Sequence, residues 1–344
     1  MSGRMFRVGI TRDFLKDDGS LGFGDIGLQL LQDDPRIEYE FLAERRTELV
    51  ADEIRDYDAL LVLAPKVTEA SLRNVDRLKL IARFGVGYDT VDVAACSRQS
   101  IALTITPDGV RRPVAVSALT LLLALSHQLF AKDRLTREGR WNEKLNYMGR
   151  GLTGRTLGIL GLGNIGRELS AIAAPLGMQH LAHDPFASES DAASVGARLC
   201  SLETLLKESD FVVVCCSLVP ATHHLLNAER LSWMKASSYL INVARGPIID
   251  QTALTAALVN RHIAGAGLDV FEREPIEAND PLLQLDNVIL SPHALCWTDE
   301  LFVGIGRDAC SSICEVAAGR LPRHVVNREV LEQPAFLAKI SSVY

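Results

Sequence analysis

The sequence predicts an α/β protein made of two doubly wound parallel-sheet domains, and three observations carry that expectation. Strand-type runs alternate with helix-type runs along most of the chain, which favours parallel strands joined by crossover helices. Gly161, Gly163 and Gly166 form G-x-G-x-x-G between a strand-type run and a helix-type run. The 344 residues suffice for two separate cores.

Composition sets the outer bounds. With 48% hydrophobic and 23% charged residues the chain is of ordinary globular type. A net charge of −7 without a basic block argues against a nucleic-acid partner. The first fifteen residues lack the apolar stretch of a signal peptide. Residues 114–125 fall short of the roughly 18 apolar residues of a membrane span and include Ser117 and Thr120, so a buried helix is expected there. Seven cysteines, none in C-x-x-C spacing, read as small core hydrophobes in a reducing cytoplasm, with no metal site.

In chain order, residues 6–10 read as the first strand. Residues 11–27 form a long polar, glycine-rich loop, either functional or a surface excursion. Strands are expected at 37–42 and 59–63, with a helix at 48–55 between them. A further strand at 78–84 runs into Gly85, Val86, Gly87, Tyr88 and Asp89. Two glycines after a strand can turn backbone N–H groups toward a small acid's carboxylate, or simply make a turn. Turn formers crowd residues 107–113, where the domain crossing is placed. The helix expected at 114–137 has too many apolar residues to stand exposed, so it should be covered by the neighbouring domain, a second subunit or both. Strands follow at 179–182, 211–215, 239–243, 265–268 and 288–291, then an amphipathic helix at 299–318 and a tail returning to the first domain. There is no internal repeat or low-complexity tract.

The glycine triplet has specific physics. Gly161 permits the tight turn, Gly163 lets backbone approach a pyrophosphate, and Gly166 lets the helix lie on the strand, with the helix N-terminus facing the anion. Asp184, about 20 residues on, stands where a ribose 2′-hydroxyl is accepted. Its charge would repel the extra phosphate of NADP, so NAD is the expected cofactor.

Three later stretches each place a reactive side chain beyond the carboxyl end of a strand, where open α/β sheets bind ligands. They are INVARG with Arg245, GLDVFEREP with Asp269 and Glu274, and SPH with His293. On these motifs the chain resembles the D-isomer-specific 2-hydroxyacid dehydrogenase family, which includes glyoxylate/hydroxypyruvate reductases and phosphoglycerate dehydrogenase, over about residues 60–298. The resemblance implies a Rossmann NAD-binding domain (109–297) inserted in a flavodoxin-like substrate domain (1–108 and 298–344). It also implies a catalytic set of Arg245, Glu274 and His293. Arg245 would hold the carboxylate and polarise the carbonyl with a charge that cannot be lost. His293 would protonate the developing alkoxide, with Glu274 holding the other ring nitrogen.

By the same resemblance Asn164 and Ile165 face the pyrophosphate, and Cys216, Ser217, Pro220 and Thr222 line the adenosine side. Val243, Ala244 and Asp269 hold the nicotinamide, and Val86 and Gly87 form the substrate loop. His127, His180, His183, His223, His224, His262 and His324 have no such frame and read as structural.

The sequence also departs from the family pattern. Val114, Ala115, Val116 and Ser117 lack the acid that commonly enters the long helix. Trp297 puts a large ring near the site, where it either shapes the substrate pocket or packs. Lys66 and Arg83 could hold a second anionic group or be solvated charges. A non-enzymatic NAD-sensing scaffold of corepressor type is the alternative. Glu274 in place of glutamine argues against a formate dehydrogenase, and the absence of a regulatory domain against the long phosphoglycerate dehydrogenases. A homodimer through residues 114–141 is expected.

Overall fold

The computed structural model describes residues 4–341. The chain divides into two compact units: unit 1 runs to Val110 and resumes at Trp297, and unit 2 is Arg111–Cys296.

Unit 1 is built on five parallel strands, β1 (Phe6–Ile10), β2 (Ile37–Phe41), β3 (Ala59–Val62), β4 (Leu80–Arg83) and β5 (Ala102–Thr104), in the order β2-β1-β3-β4-β5. That is the flavodoxin-like order. β3 is buried along its whole length, as a strand covered on both faces should be. The expected strands are present with slightly shorter ends. β5 is an addition to them, because three residues carry no usable period. The helix expected at 48–55 shrinks to Ala51–Ile54, because Leu49 N–H donates to the Lys66 carbonyl at 2.9 Å and draws residues 48–49 into extended pairing.

The 11–27 segment is packed at both ends, whereas residues 16–20 between them are exposed. Phe14 and Ile26 are buried, and Leu15 bridges Leu21 in antiparallel fashion. Gly27, at φ 78°, lies so close to Gly306 that a Cβ there would sit 2.7 Å from the Gly306 carbonyl carbon. The tail returns as expected, with Val326 N–H donating to Leu103 and the Asn327 side chain bridging Leu103 N–H and the Ile101 carbonyl.

Unit 2 carries seven parallel strands: β6 (Thr156–Leu160), β7 (Gln179–His183), β8 (Ala197–Leu199), β9 (Phe211–Val214), β10 (Tyr239–Asn242), β11 (Gly265–Leu268) and β12 (Val288–Leu290). Their order is β12-β11-β10-β9-β6-β7-β8. The chain reverses direction across the sheet between β6 and β9, the crevice where doubly wound sheets take dinucleotides.

Two expectations are corrected. The turn formers at 107–113 are helical, forming the start of a helix over Pro107–Ser126. Proline fits a first helical turn, where its missing N–H costs nothing, and Asp108 suits the positive end. Gly109 is required by packing, since a Cβ would come within 2.3 Å of Gly304 and Ile305 backbone. The long helix also breaks: Gln128 takes φ 52° and a second helix runs Leu129–Arg137. Its first part needs no outside cover, because Ala115, Ala118, Leu121, Leu122 and Leu125 pack with Leu157, Ile159 and Ile241 in the core of unit 2. The helix Pro107–Ser126 is long and apolar enough to cross a membrane, and 61% of its apolar window is buried in the fold.

Candidate active site

Three adjacent strands deliver the three chemical stretches. β10 ends at Asn242 and leads to Arg245, β11 ends at Leu268 and leads to Asp269 and Glu274, and β12 ends at Leu290 and leads to His293. Parallel pairing puts all three exits on the same edge of the sheet. His293 Nδ1 and Glu274 Oε2 then meet at 2.7 Å across 19 residues of sequence.

Burial of the Glu274 carboxyl works against its charge. The hydrogen bond from His293 and the one donated by Phe271 N–H overcome that penalty and hold the carboxyl below its ordinary range, helped by the nearby charge of Arg245. His293 itself sits at φ 54°, a left-handed conformation that a non-glycine residue keeps only when its surroundings impose it. Both side chains keep part of their surface open to solvent.

Two further groups fix this arrangement, Asn242, which sequence reading misses, and Asp269, whose bracing role it misses. Asn242 is buried; its amide donates to the Arg245 carbonyl and its oxygen accepts from Ala244 N–H, each at 3.0 Å, which shapes the Arg245 loop. An Asn closing a strand before V-A-R is the signal that could have found it. Asp269, expected only as a cofactor contact, is buried, and its Oδ1 accepts the N–H groups of Ala294 and Leu295 at 3.0 and 3.1 Å. It thereby anchors the segment immediately after His293.

At the other crevice the fingerprint has the expected geometry. Gly161 takes φ 97°, and a Cβ there would stand 2.6 Å from Cys216 backbone. At Gly166 it would stand 2.2 Å from the Gly161 oxygen, whereas Gly163 faces open space. Helix Asn164–Ala173 starts there, with Asn164 exposed and Ile165 half-buried. An open, side-chain-free helix N-terminus beside a carboxylate suits a pyrophosphate and ribose, so the residues fit NAD. Asp184 accepts from Leu162 N–H at 2.8 Å and Phe186 N–H at 2.9 Å, which ties it to the glycine turn. Thr222 closes the Ser217–Pro220 turn, donating to the Ser217 carbonyl and accepting from Val219 N–H. Val243 and Ala244 are half-buried after β10.

In unit 1, Val86 and Gly87 are half-buried just past β4, where Gly85 N–H donates to Thr106 Oγ1. The Arg83 guanidinium donates to the Val62 and Phe84 carbonyls, and Lys66 is exposed. Trp297 is 53% exposed. Among the described residues no cluster of three His, Cys, Asp or Glu side chains could hold a metal. All seven cysteines are unbridged, and burial pushes the Cys96 thiol up to about 12 and the Cys216 and Cys296 thiols up to about 11.

A five-strand parallel unit, a seven-strand dinucleotide crevice and a histidine–carboxylate pair beside an arginine define the class: a two-domain nicotinamide-dependent oxidoreductase. Residues 119–294 match the family described as D-isomer specific 2-hydroxyacid dehydrogenase, NAD binding domain. The chain is 36% identical to the glyoxylate reductase of Thermococcus onnurineus (strain NA1) over 320 residues, covering 90% of this chain and 96% of that one. Among solved structures it resembles the TT0316 protein from Thermus thermophilus (TM-score 0.81, 31% identity, 93% of this chain and 99% of that one). It also resembles D-lactate dehydrogenase from Aquifex aeolicus complexed with NAD and lactic acid (TM-score 0.79, 28% identity, 94% and 97%). The chain belongs to the D-isomer-specific 2-hydroxyacid dehydrogenase family and is an NAD-dependent oxidoreductase acting on CH-OH groups.

Proposed function

We propose that the chain interconverts small 2-oxo acids and D-2-hydroxy acids, with unit 2 as the NAD-binding domain and unit 1 as the substrate domain. The observation that carries this reading is the 2.7 Å contact between His293 Nδ1 and Glu274 Oε2. With Nδ1 engaged by Glu274, Nε2 is the nitrogen left to serve substrate. Arg245 holds the carboxylate and polarises the carbonyl; its fork geometry suits both tasks. His293, as imidazolium, delivers a proton from Nε2 to the oxygen as negative charge develops there, and takes it back in the oxidative direction. Glu274 keeps the ring oriented. NADH, when bound, supplies the hydride. Val86 and Gly87 would present backbone N–H groups to the acid.

Mixing the protein with NADH and a panel of 2-oxo acids, glyoxylate and hydroxypyruvate included, tests the reading, and no turnover across the panel would sink it. The cofactor assignment rests on Asp184 beside the glycine turn. Asp184→Ala should move the NADP-to-NAD ratio of kcat/KM up by about tenfold, roughly 1.4 kcal/mol. An unmoved ratio places the ribose elsewhere.

Two further readings accompany the activity. Leu129, Phe130, Trp141, Leu145 and Met148 are all more than half exposed along the second helix and the turn after it. Such an apolar surface suits a homodimer through this region, and a monomeric mass by light scattering at micromolar concentration would refute it. Seven unbridged thiols suit a reducing cytoplasm.

A further inference from the structure

The amino-terminal edge of the unit 1 sheet, opposite the edge at which such sheets take ligands, gathers charge. A cavity of about 340 Å³ opens there, where β1, β3 and β4 begin. Its charged lining is Arg4, Asp58, Asp76, Arg77, Lys79 and Lys339, all within unit 1. Arg4 leads into β1, Asp58 directly precedes β3, Asp76, Arg77 and Lys79 lead into β4, and Lys339 comes from the helix Pro334–Ser341.

Asp58 and Lys79 are 5% and 6% exposed, so both charges are held more than nine-tenths out of water. Lys79 Nζ donates to Asp58 Oδ1 at 2.6 Å and to the Arg77 carbonyl at 3.3 Å. Arg77 grips Asp58 Oδ2 through Nε at 2.9 Å and through Nη2, which also reaches the Met5 carbonyl. The same carboxylate oxygen accepts Arg7 N–H at 2.8 Å. Burial works against the Asp58 charge, yet the hydrogen bonds from Arg77, Lys79 and Arg7 hold the carboxyl below its ordinary range. One carboxylate therefore serves two cations.

Arg4, Arg77 and Lys79 by themselves outnumber Asp58 and Asp76. Arg4 and Asp76 are exposed, and neither has a hydrogen bond or ion pair among the described residues. Arg77 Nη1 makes no hydrogen bond among them, and Lys79 has a third N–H beyond its two bonds. Lys339 adds positive charge at the same cavity: its Nζ donates to the Leu78 and Gln99 carbonyls at 3.1 and 2.7 Å. Burial, and then the neighbouring Lys79, hold its ammonium below its ordinary value, with Asp76 opposing the shift.

We propose that this edge of unit 1 is a binding site for a phosphate group, held by Arg4, Arg77 and Lys79. The spare donors of Arg77 and Lys79 give a phosphate charge-assisted hydrogen bonds without loosening their hold on Asp58. Its tetrahedral oxygens accept from several donors at once, and a guanidinium fork suits them. Asp76 is the charge left to repel the ligand, and it is exposed, where water and salt screen it. The site is separate from Arg245, Glu274 and His293, so the inference does not depend on the reductase reading.

The test is isothermal titration calorimetry of the full chain, saturated with NAD so that the dinucleotide crevice is filled. Inorganic phosphate and glycerol phosphate are titrated separately at constant ionic strength, and saturable binding is expected. Arg77→Lys keeps the charge, loses the fork and should weaken binding about tenfold, the scale of a hydrogen bond to a charged group. Arg4→Ala, an exposed change, should weaken it about two- to fivefold, and Asp76→Asn should tighten it by a similar factor. A gain in affinity is a result that a misfolded variant does not give. Tighter binding of the ester identifies a phosphate monoester as the ligand, and equal or tighter binding of inorganic phosphate identifies the free ion. Absence of saturable binding at millimolar phosphate, or an affinity unmoved by all three substitutions, overturns the inference. A protein that turns over no 2-oxo acid yet binds phosphate in this pattern leaves it standing.

Discussion

Unit 2 contains two histidine–glutamate pairs that are nearly identical in distance. His293 meets Glu274 at 2.7 Å, and His224 meets Glu272 at 2.7 Å. Both histidines adopt left-handed backbone, at φ 54° and 49°. They differ in which nitrogen is engaged and in what surrounds the carboxylate. His293 uses Nδ1, His224 uses Nε2. Glu274 feels the charge of Arg245 and accepts from Phe271 N–H, whereas Glu272 accepts Gln251 N–H at the start of the helix Gln251–Val259. On the proposed function the first pair keeps Nε2 for a substrate, whereas the second joins a loop to a helix start. A short contact therefore does not make an acid–base couple; the neighbours of the contact do.

The largest effect should separate the two pairs outright. His293→Ala is expected to lower kcat by about 10²- to 10⁴-fold while NADH still binds, as read by nicotinamide fluorescence. His224→Ala should stay within about twofold, the scale of a surface change of roughly 0.5 kcal/mol. Comparable losses in both would erase the distinction.

The pH profile sharpens it. Because the Glu274 carboxyl is held below its ordinary range, it stays charged until pH falls through that lowered value, so it remains a fixed anion through any neutral or alkaline assay. Glu274→Gln has no carboxyl to protonate, so the acid limb that follows loss of the Glu274 charge should disappear from its profile. Glu272→Gln should leave it in place. A Glu274→Gln profile that coincides with wild type breaks the assigned roles.

The smallest effect probes what the two pairs share. Gly246, next to Arg245, lies against the segment that carries both glutamates, and a Cβ there would fall 1.8 Å from the Phe271 carbonyl carbon. Gly246→Ala should cost about 1–3 kcal/mol by overpacking, measured as a lowered thermal midpoint. Unchanged stability would show that this backbone approach has slack.

Much of the molecule is legible in its residues alone. The strand-turn-helix at Leu157–Ser170 can be read because glycine sterics are local, and the buried strands because apolar runs bounded by turns are local too. The helix start at Pro107 reads as a loop for the complementary reason. Proline, aspartate and glycine serve both turns and first helical turns, and the backbone of Gly304 and Ile305 that requires Gly109 lies almost 200 residues away.

The amino-acid order by itself determined the class of protein, the glycine turn with Asp184 beyond it, and the three stretches bearing Arg245, Glu274 and His293, since each is a short-range pattern tied to a strand end. Only tertiary structure decided that His293 meets Glu274 while His224 meets Glu272, that Asp269 braces the chain after His293, and that five rings from Phe14 to Phe302 gather at one sheet edge. Those relations depend on which strand ends lie side by side, here β10, β11 and β12 in unit 2 and β1, β3 and β4 in unit 1. Strand order is settled by the packing of whole layers, and no local spacing records it.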